Sequence, residues 1–164
     1  MQFEQFKNQV LVFKNPMYRL AFRILNNEED AKDIVQDSFA KLWDKREVLT
    51  NISNLKSFIL TIVRNASIDS LRKHKPEVDR NSVIINRPEH QTPESQLVIS
   101  DQLKWVREII NGLNEQQREL IQLRDIEGLD YDEISEISGL TANNARVIIS
   151  RARKEIRLRM LDMN

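Results

Sequence analysis

Near the C-terminus, Thr141, Asn143, Asn144, Arg146, Val147, Ser150, Arg151 and Lys154 combine side chains that can read the edges of base pairs. Asparagine pairs with adenine, arginine with guanine or phosphate, and valine meets a thymine methyl. At helical spacing, Ala145, Ile149, Ala152, Ile156 and Met160 take one side of a helix. Asn143, Asn144, Val147, Ser150, Arg151 and Lys154 then turn outward, with Arg146 on the flank, and Arg153 and Arg157 are expected to hold phosphates.

The segment before this helix supplies what would position it. Tyr131 to Ser138 reads as a short helix, opened by the capping pair Asp130 and Glu133 and closed by Gly139, which tolerates positive φ. Thr141 caps the next helix, small Ser135 permits a close crossing, and Ile134, Leu140, Ala145 and Ile148 fall where two such helices bury apolar groups. This is helix-turn-helix spacing. A basic C-terminal helix whose arginines are merely solvated accounts for the cations, but not for the spaced glycine and small residue. Tyr131 is expected to pack at the entrance of the motif rather than to touch DNA.

Helical periodicity prevails elsewhere, so the expected class is all-α, with two small helical domains joined by a flexible linker. One helix begins near Phe3; a second has Pro16 in its opening turn and ends at Asn26-Asn27. A third follows the acidic run Glu28-Glu29-Asp30 and reaches Lys45, with Ala31, Ile34, Val35, Ser38, Phe39 and Leu42 facing a core. A turn-rich stretch from Thr50 to Asn54 precedes a fourth from Leu55 to about Lys73, its stripe Phe58, Ile59, Ile62, Val63, Ala66 and Leu71. These make a first domain over residues 1–74.

Residues 75–91 lose periodicity and gather proline and polar residues, as a linker does, and Val83-Ile84-Ile85 is their lone strand-like fragment. A second domain over 92–164 opens at Thr92-Pro93-Glu94, continues through Val98, Trp105, Val106, Ile109 and Ile110, and gains another helix start at Asn114 with Gln117.

Composition narrows the function. The 164 residues hold 25 basic and 25 acidic side chains, so net charge alone does not advertise nucleic-acid binding; the charges are segregated along the chain instead. Without cysteine there is no disulfide or thiolate metal site, and two distant histidines, His74 and His90, do not begin a metal cage. No cofactor is expected. No phosphate loop, nucleophile elbow or acid-base pair points to an enzyme. The N-terminus lacks a secretory pattern and no run approaches a membrane span, so the reading is cytoplasmic, without membrane insertion. The glycosylation-like triplets at Asn51 and Asn65 then carry no weight.

Asp30-Ala31-Lys32-Asp33-Ile34-Val35-Gln36-Asp37-Ser38-Phe39-Ala40-Lys41-Leu42-Trp43 resembles the polymerase-binding segment of the extracytoplasmic-function group of the sigma-70 family. The resemblance implies that Asp33, Gln36 and Asp37, which share one helix face by spacing, meet the clamp helices of the largest subunit of core RNA polymerase. Trp43 fits either core or interface.

Phe58 to Asn65, followed by Asp69, Leu71, Arg72 and Lys73, resembles the family's helix for the minus-10 element. Phe58 stands where the family usually has tryptophan, and its spacing favours the core. Holding melted promoter DNA needs polar and cationic groups. Asn51, Ser53, Asn54, Lys56, Arg64, Arg72 and Lys73 supply them.

The helix-turn-helix resembles the minus-35 reader, with Ser135 in place of a common alanine. The implied function is a sigma factor that directs core polymerase to promoters, and the implied partners are core polymerase, duplex and melted promoter DNA, and an anti-sigma factor. A stand-alone helix-turn-helix regulator is the alternative. It would need a sensing domain with another pattern than the helical N-terminal half.

Overall fold

The computed structural model describes residues 1–74 and 101–162. The N-terminal half contains α1 (Phe3–Val10), a 3-10 turn (Leu11–Phe13), α2 (Lys14–Leu25), α3 (Glu28–Asp44), the single turn α4 (Arg46–Leu49) and α5 (Leu55–His74). The C-terminal half contains α6 (Asp101–Asn111), α7 (Glu115–Ile121), a π turn (Gln122–Ile126), α8 (Tyr131–Ser138) and α9 (Ala142–Leu161). All regular structure among the described residues is helical, as two small helical domains. The expected linker 75–91 and the start at Thr92-Pro93-Glu94 lie outside the described residues, as do Val98 and His90.

Local chemistry explains most of the boundaries. Asn26 ends α2 with φ 49, a left-handed position that asparagine tolerates better than most side chains. Its neighbour Asn27 starts α3 by accepting the amide of Asp30 at 2.9 Å. Reciprocal capping boxes start α7 at Asn114 with Gln117 and α8 at Asp130 with Glu133. The turn α4 was not foreseen; it carries the chain from α3 to the loop before α5 and buries Leu49.

In the N-terminal half, Val10, Met17, Leu20, Ala31, Leu42, Ile59, Leu60 and Val63 bury against one another. The α5 core is broader than its expected stripe, because Ser57, Leu60 and Ser67 are also buried. Phe58 is partly buried and packs on this core. Trp43 is a packing residue, edge-on to Phe6 at 5.1 Å and Phe3 at 5.8 Å, with the Arg46 guanidinium 4.5 Å above its ring.

In the C-terminal half, Leu120, Leu123, Ile134, Ile137, Ala145, Ile149 and Ala152 form the interior. Two residues placed on apolar stripes by type are exposed instead: Trp105 (49%) and Met160 (46%). Burial on α6 is confined to Ile109 and Ile110 in its last turn, so Trp105 lies before the packed segment.

The halves are not merely tethered. The apolar cluster is continuous across them, with α7 and the π turn against α2, and α8 against α5. Polar groups line the same seam, and they determine which surfaces stay available.

Candidate nucleic-acid interface

The helix-turn-helix is built locally. Gly139 closes α8 with φ 75, and its amide donates to the Ser135 carbonyl at 3.0 Å. The Ser135 hydroxyl does more than leave room: it donates to the Leu140 carbonyl at 2.5 Å, while the Leu140 amide donates to Ser138 Oγ at 3.2 Å. Thr141 then caps α9 by accepting the Asn144 amide. Nothing lies within 4 Å of a Cβ added at Gly139, so the cost of a side chain there is backbone strain alone. Gly139→Ala is expected to lose about 1–2 kcal/mol, read as a Tm lower by several degrees, whereas Gly139→Asn loses less. An unchanged Tm in the alanine variant would contradict this account of the turn.

On α9, Ala145, Ile149 and Ala152 are buried, and Thr141, Asn143, Asn144, Arg146, Val147, Ser150, Arg151 and Lys154 are exposed. A surface concavity of about 520 Å³ is lined by Tyr131, Arg146, Val147, Ser150, Arg151, Arg153 and Arg157. The rim is set by stacking: Arg124 and Arg146 each place a guanidinium 4.6 Å from the Tyr131 ring centroid. Arg146 also donates to Asn143 Oδ1 at 3.0 Å, which orients both side chains on the open face. Tyr131 thus packs at the entrance of the motif. Arg153, expected to hold a phosphate, is already held by Asp125, with Nε donating to Oδ2 at 3.1 Å and Nη2 to Oδ1 at 2.5 Å. The cause lies in the π turn, which brings Asp125 beside α9.

Asp33, Gln36 and Asp37 form an exposed row on α3, opposite buried Ala31, Val35, Ser38 and Leu42. No ion pair within the described residues engages Asp33 or Asp37. Their neighbour Lys32 is paired within α3 to Glu28 at 2.9 Å.

The residues expected at melted DNA divide into two sets. Asn51, Ser53, Arg72 and Lys73 are exposed. Asn54, Lys56 and Arg64 face the C-terminal half instead. Asn54 caps α5 through the Ser57 amide and donates its own amide to Glu133 Oε1 at 2.9 Å. Lys56 Nζ donates to the Glu127 carbonyl at 2.9 Å, and Arg64 Nε to Glu119 Oε1 at 2.5 Å.

Around these contacts runs a polar seam that helical spacing does not reveal. Arg19 grips the buried Glu127 carboxylate with Nε at 2.7 Å and Nη2 at 3.0 Å. Gln122, itself buried, donates to Glu127 Oε1 at 3.1 Å and accepts from Arg23 Nε at 3.1 Å. Burial pushes the pKa of Glu119 upward against the opposing pull of Arg64. Burial, reinforced by the nearby charges of Arg118 and Arg107, lowers that of Arg23 to about 10. Arg23, Arg64, Arg72, Arg118, Glu115 and Glu119 share a cleft of about 260 Å³ at the seam. One trace of it exists in the sequence: Glu119 and Gln122 interrupt the apolar run around Leu120, Ile121 and Leu123, and a polar residue on a buried side needs a partner.

Family comparison gives these surfaces a context. Residues 10–77 match the family model of sigma-70 region 2, and residues 103–156 match that of sigma-70 region 4. The RNA polymerase sigma factor SigV of Bacillus subtilis is 30% identical over 151 residues, covering 90% of this chain and 86% of the relative. The ferric citrate uptake sigma factor FecI of Escherichia coli is 30% identical over 135 residues, covering 79% of this chain and 76% of the relative.

Among solved structures, the sigma factor RpoE of Bartonella quintana, in complex with the anti-sigma factor NepR, superposes with a TM-score of 0.75. That match has 27% identity and covers 96% of this chain and 97% of RpoE. Among the described residues, no helix is long and apolar enough to cross a membrane. Two family regions in series, carried by a chain that matches sigma factors over most of its length, make this protein a member of the sigma-70 family, a transcription initiation sigma factor of the extracytoplasmic-function group.

Proposed function

We propose that the chain performs promoter-directed initiation with a division of labour between its halves. Residues 1–74 act as the polymerase-binding and minus-10 domain, 75–91 as the linker, and 92–164 as the minus-35 domain. Asp33, Gln36 and Asp37 dock on the clamp helices of the largest polymerase subunit. Asn51, Ser53, Asn54, Lys56, Arg64, Arg72 and Lys73 hold the melted minus-10 strand. Thr141, Asn143, Asn144, Arg146, Val147, Ser150, Arg151 and Lys154 read duplex DNA at minus-35.

The observation that carries this reading is the pairing of two unlike exposed faces on one chain. One is an acidic row on α3, unengaged by ion pairs among the described residues; the other is a polar and basic face on α9. A basic helical partner suits the first and DNA suits the second. The role is binding rather than catalysis and is exercised in the cytoplasm. An anti-sigma factor is the natural antagonist, because covering either face would suffice to silence the protein; relatives of this fold are known in such complexes.

The test is transcription from a promoter library with purified core polymerase. The wild type is expected to bind core and direct initiation from a subset of promoters. Arg146→Ala/Arg151→Ala is expected to retain core binding but lose roughly 10- to 1,000-fold in promoter affinity, with a shallower salt dependence. Failure of the wild type both to bind core and to initiate on any promoter would remove the basis of this reading.

A further inference from the structure

We infer that the C-terminal half of this protein is a built-in competitor for melted DNA: Glu119, Glu127 and Glu133 occupy the Asn54, Lys56 and Arg64 face until the halves separate. The inference rests on the proposed minus-10 role of that face.

Three donors assigned to single-stranded DNA are satisfied by the other half of the same chain. Asn54 gives its amide to Glu133, Lys56 its ammonium to the Glu127 carbonyl, and Arg64 its guanidinium to Glu119. Arg19, beside them on α2, closes a two-toothed grip on Glu127. These are oxygen acceptors on anionic residues, the chemistry that a nucleic-acid strand presents to the same donors. One set of donors cannot serve both at once.

The contacts lie at a seam with little access to water. The side chains of Glu127 and Glu119 are 2% and 9% exposed, and that of Arg64 is 22% exposed. Arg19 is 45% exposed, so its pair is open to water on one side. The pair of Arg64 with Glu119 is shielded on both sides and is poorly screened by salt, and losing one member strands the charge of the other. Closure therefore depends most on the Glu119 and Glu127 carboxylates, which meet guanidinium groups, while Glu133 adds a hydrogen bond to the neutral Asn54 amide. The apolar part of the seam alone does not neutralise Arg19 and Arg64.

The minus-35 face is left open by the same arrangement, since none of its exposed side chains takes part in these contacts. Closure thus blocks one DNA contact and leaves the other available. The arrangement resembles that of RpoE captured with its anti-sigma factor, where the superposition spans nearly the entire chain.

The variant that tests this is Glu119→Gln/Glu127→Gln/Glu133→Gln in the full chain. Glutamine keeps the shape and, at position 133, retains the capping box of α8, but it cannot neutralise a guanidinium. Small-angle scattering should show a compact wild type and an expanded variant. Binding of a single-stranded minus-10 oligonucleotide should tighten by at least roughly tenfold, the gain expected when a competent state of low population becomes the main one. Glu4→Gln/Glu29→Gln/Glu136→Gln removes the same charge from exposed positions away from the seam and should change affinity by less than about threefold.

A wild type that is already expanded, a seam variant that stays compact, or one that is expanded but binds no better than this control overturns the inference. Permanganate footprinting of the holoenzyme with Lys56→Glu/Arg64→Glu separates the two failures. Lost melting there keeps the minus-10 reading while the competitor fails; normal melting with an expanded, non-binding seam variant removes the minus-10 reading itself.

Discussion

Asp33→Arg/Asp37→Arg is expected to abolish binding to core polymerase while leaving the fold intact. Both carboxylates are exposed on α3, and neither has an ion-pair partner among the described residues, so reversing them removes no contact from the core. Surface substitutions of this kind usually change stability by less than about 0.5 kcal/mol. At an interface with a basic helix the same change replaces attraction with like-charge repulsion, which costs several kcal/mol, or at least about 100-fold in affinity. The measurement is a binding titration against core polymerase, with a thermal melt of the free protein alongside. Core binding within threefold of wild type would reject the assignment of this face, and a collapsed melt would show that the row is structural.

The second large effect is on stability. Leu60 is fully buried in α5, the helix that packs on α2 and α3 and also meets α8. Leu60→Ala is expected to cost about 2–5 kcal/mol, from lost transfer energy and the cavity left behind. This is a large share of the roughly 5–15 kcal/mol typical of a folded domain. Val48→Ala, at a position 58% exposed, is the matched control and should stay near zero. Urea unfolding of both variants decides the matter: a loss below about 1 kcal/mol at Leu60 would mean that the site relaxes and that the packing of α5 on α2 and α3 contributes little to stability.

What was legible in the sequence depended on how far apart the cooperating residues lie. Caps and turns use partners within a few positions, so Asn114 with Gln117, Asp130 with Glu133, and Gly139 could be placed from residue type alone. The inward face of α3 and the outer face of α9 followed from helical period, because one side of each must be apolar. The seam was different in kind. Arg64 and Glu119 are separated by 55 positions, and Arg19 and Glu127 by 108; no periodicity connects such pairs. By type Asn54, Lys56 and Arg64 suit DNA, and they are equally suited to the oxygen acceptors that the C-terminal half presents.

Arg153 illustrates the same ambiguity at shorter range. A cation near the reader helix suits a phosphate, and only the π turn, which places Asp125 beside it, reveals the internal partner. Trp105 and Met160 failed for another reason: helical spacing says which side a residue occupies, but not how far along the helix the neighbouring core extends. The extra burial of Ser57 and Ser67 reflects the position of α5 between other helices, which a single stripe does not describe.

Glu127 sets a limit on modular exchange. The residue follows the π turn and satisfies Arg19 and Gln122 through its side chain and Lys56 through its carbonyl. The segment from α7 to Glu127 is therefore a matched counterpart of α2 and α5, whereas the outer face of α9 owes the N-terminal half nothing. Grafting that face alone onto a relative should transfer promoter preference cleanly. Exchanging the whole C-terminal half would create a hybrid whose two parts meet with mismatched charges, so the heritable unit for altering specificity is a helix surface rather than a domain.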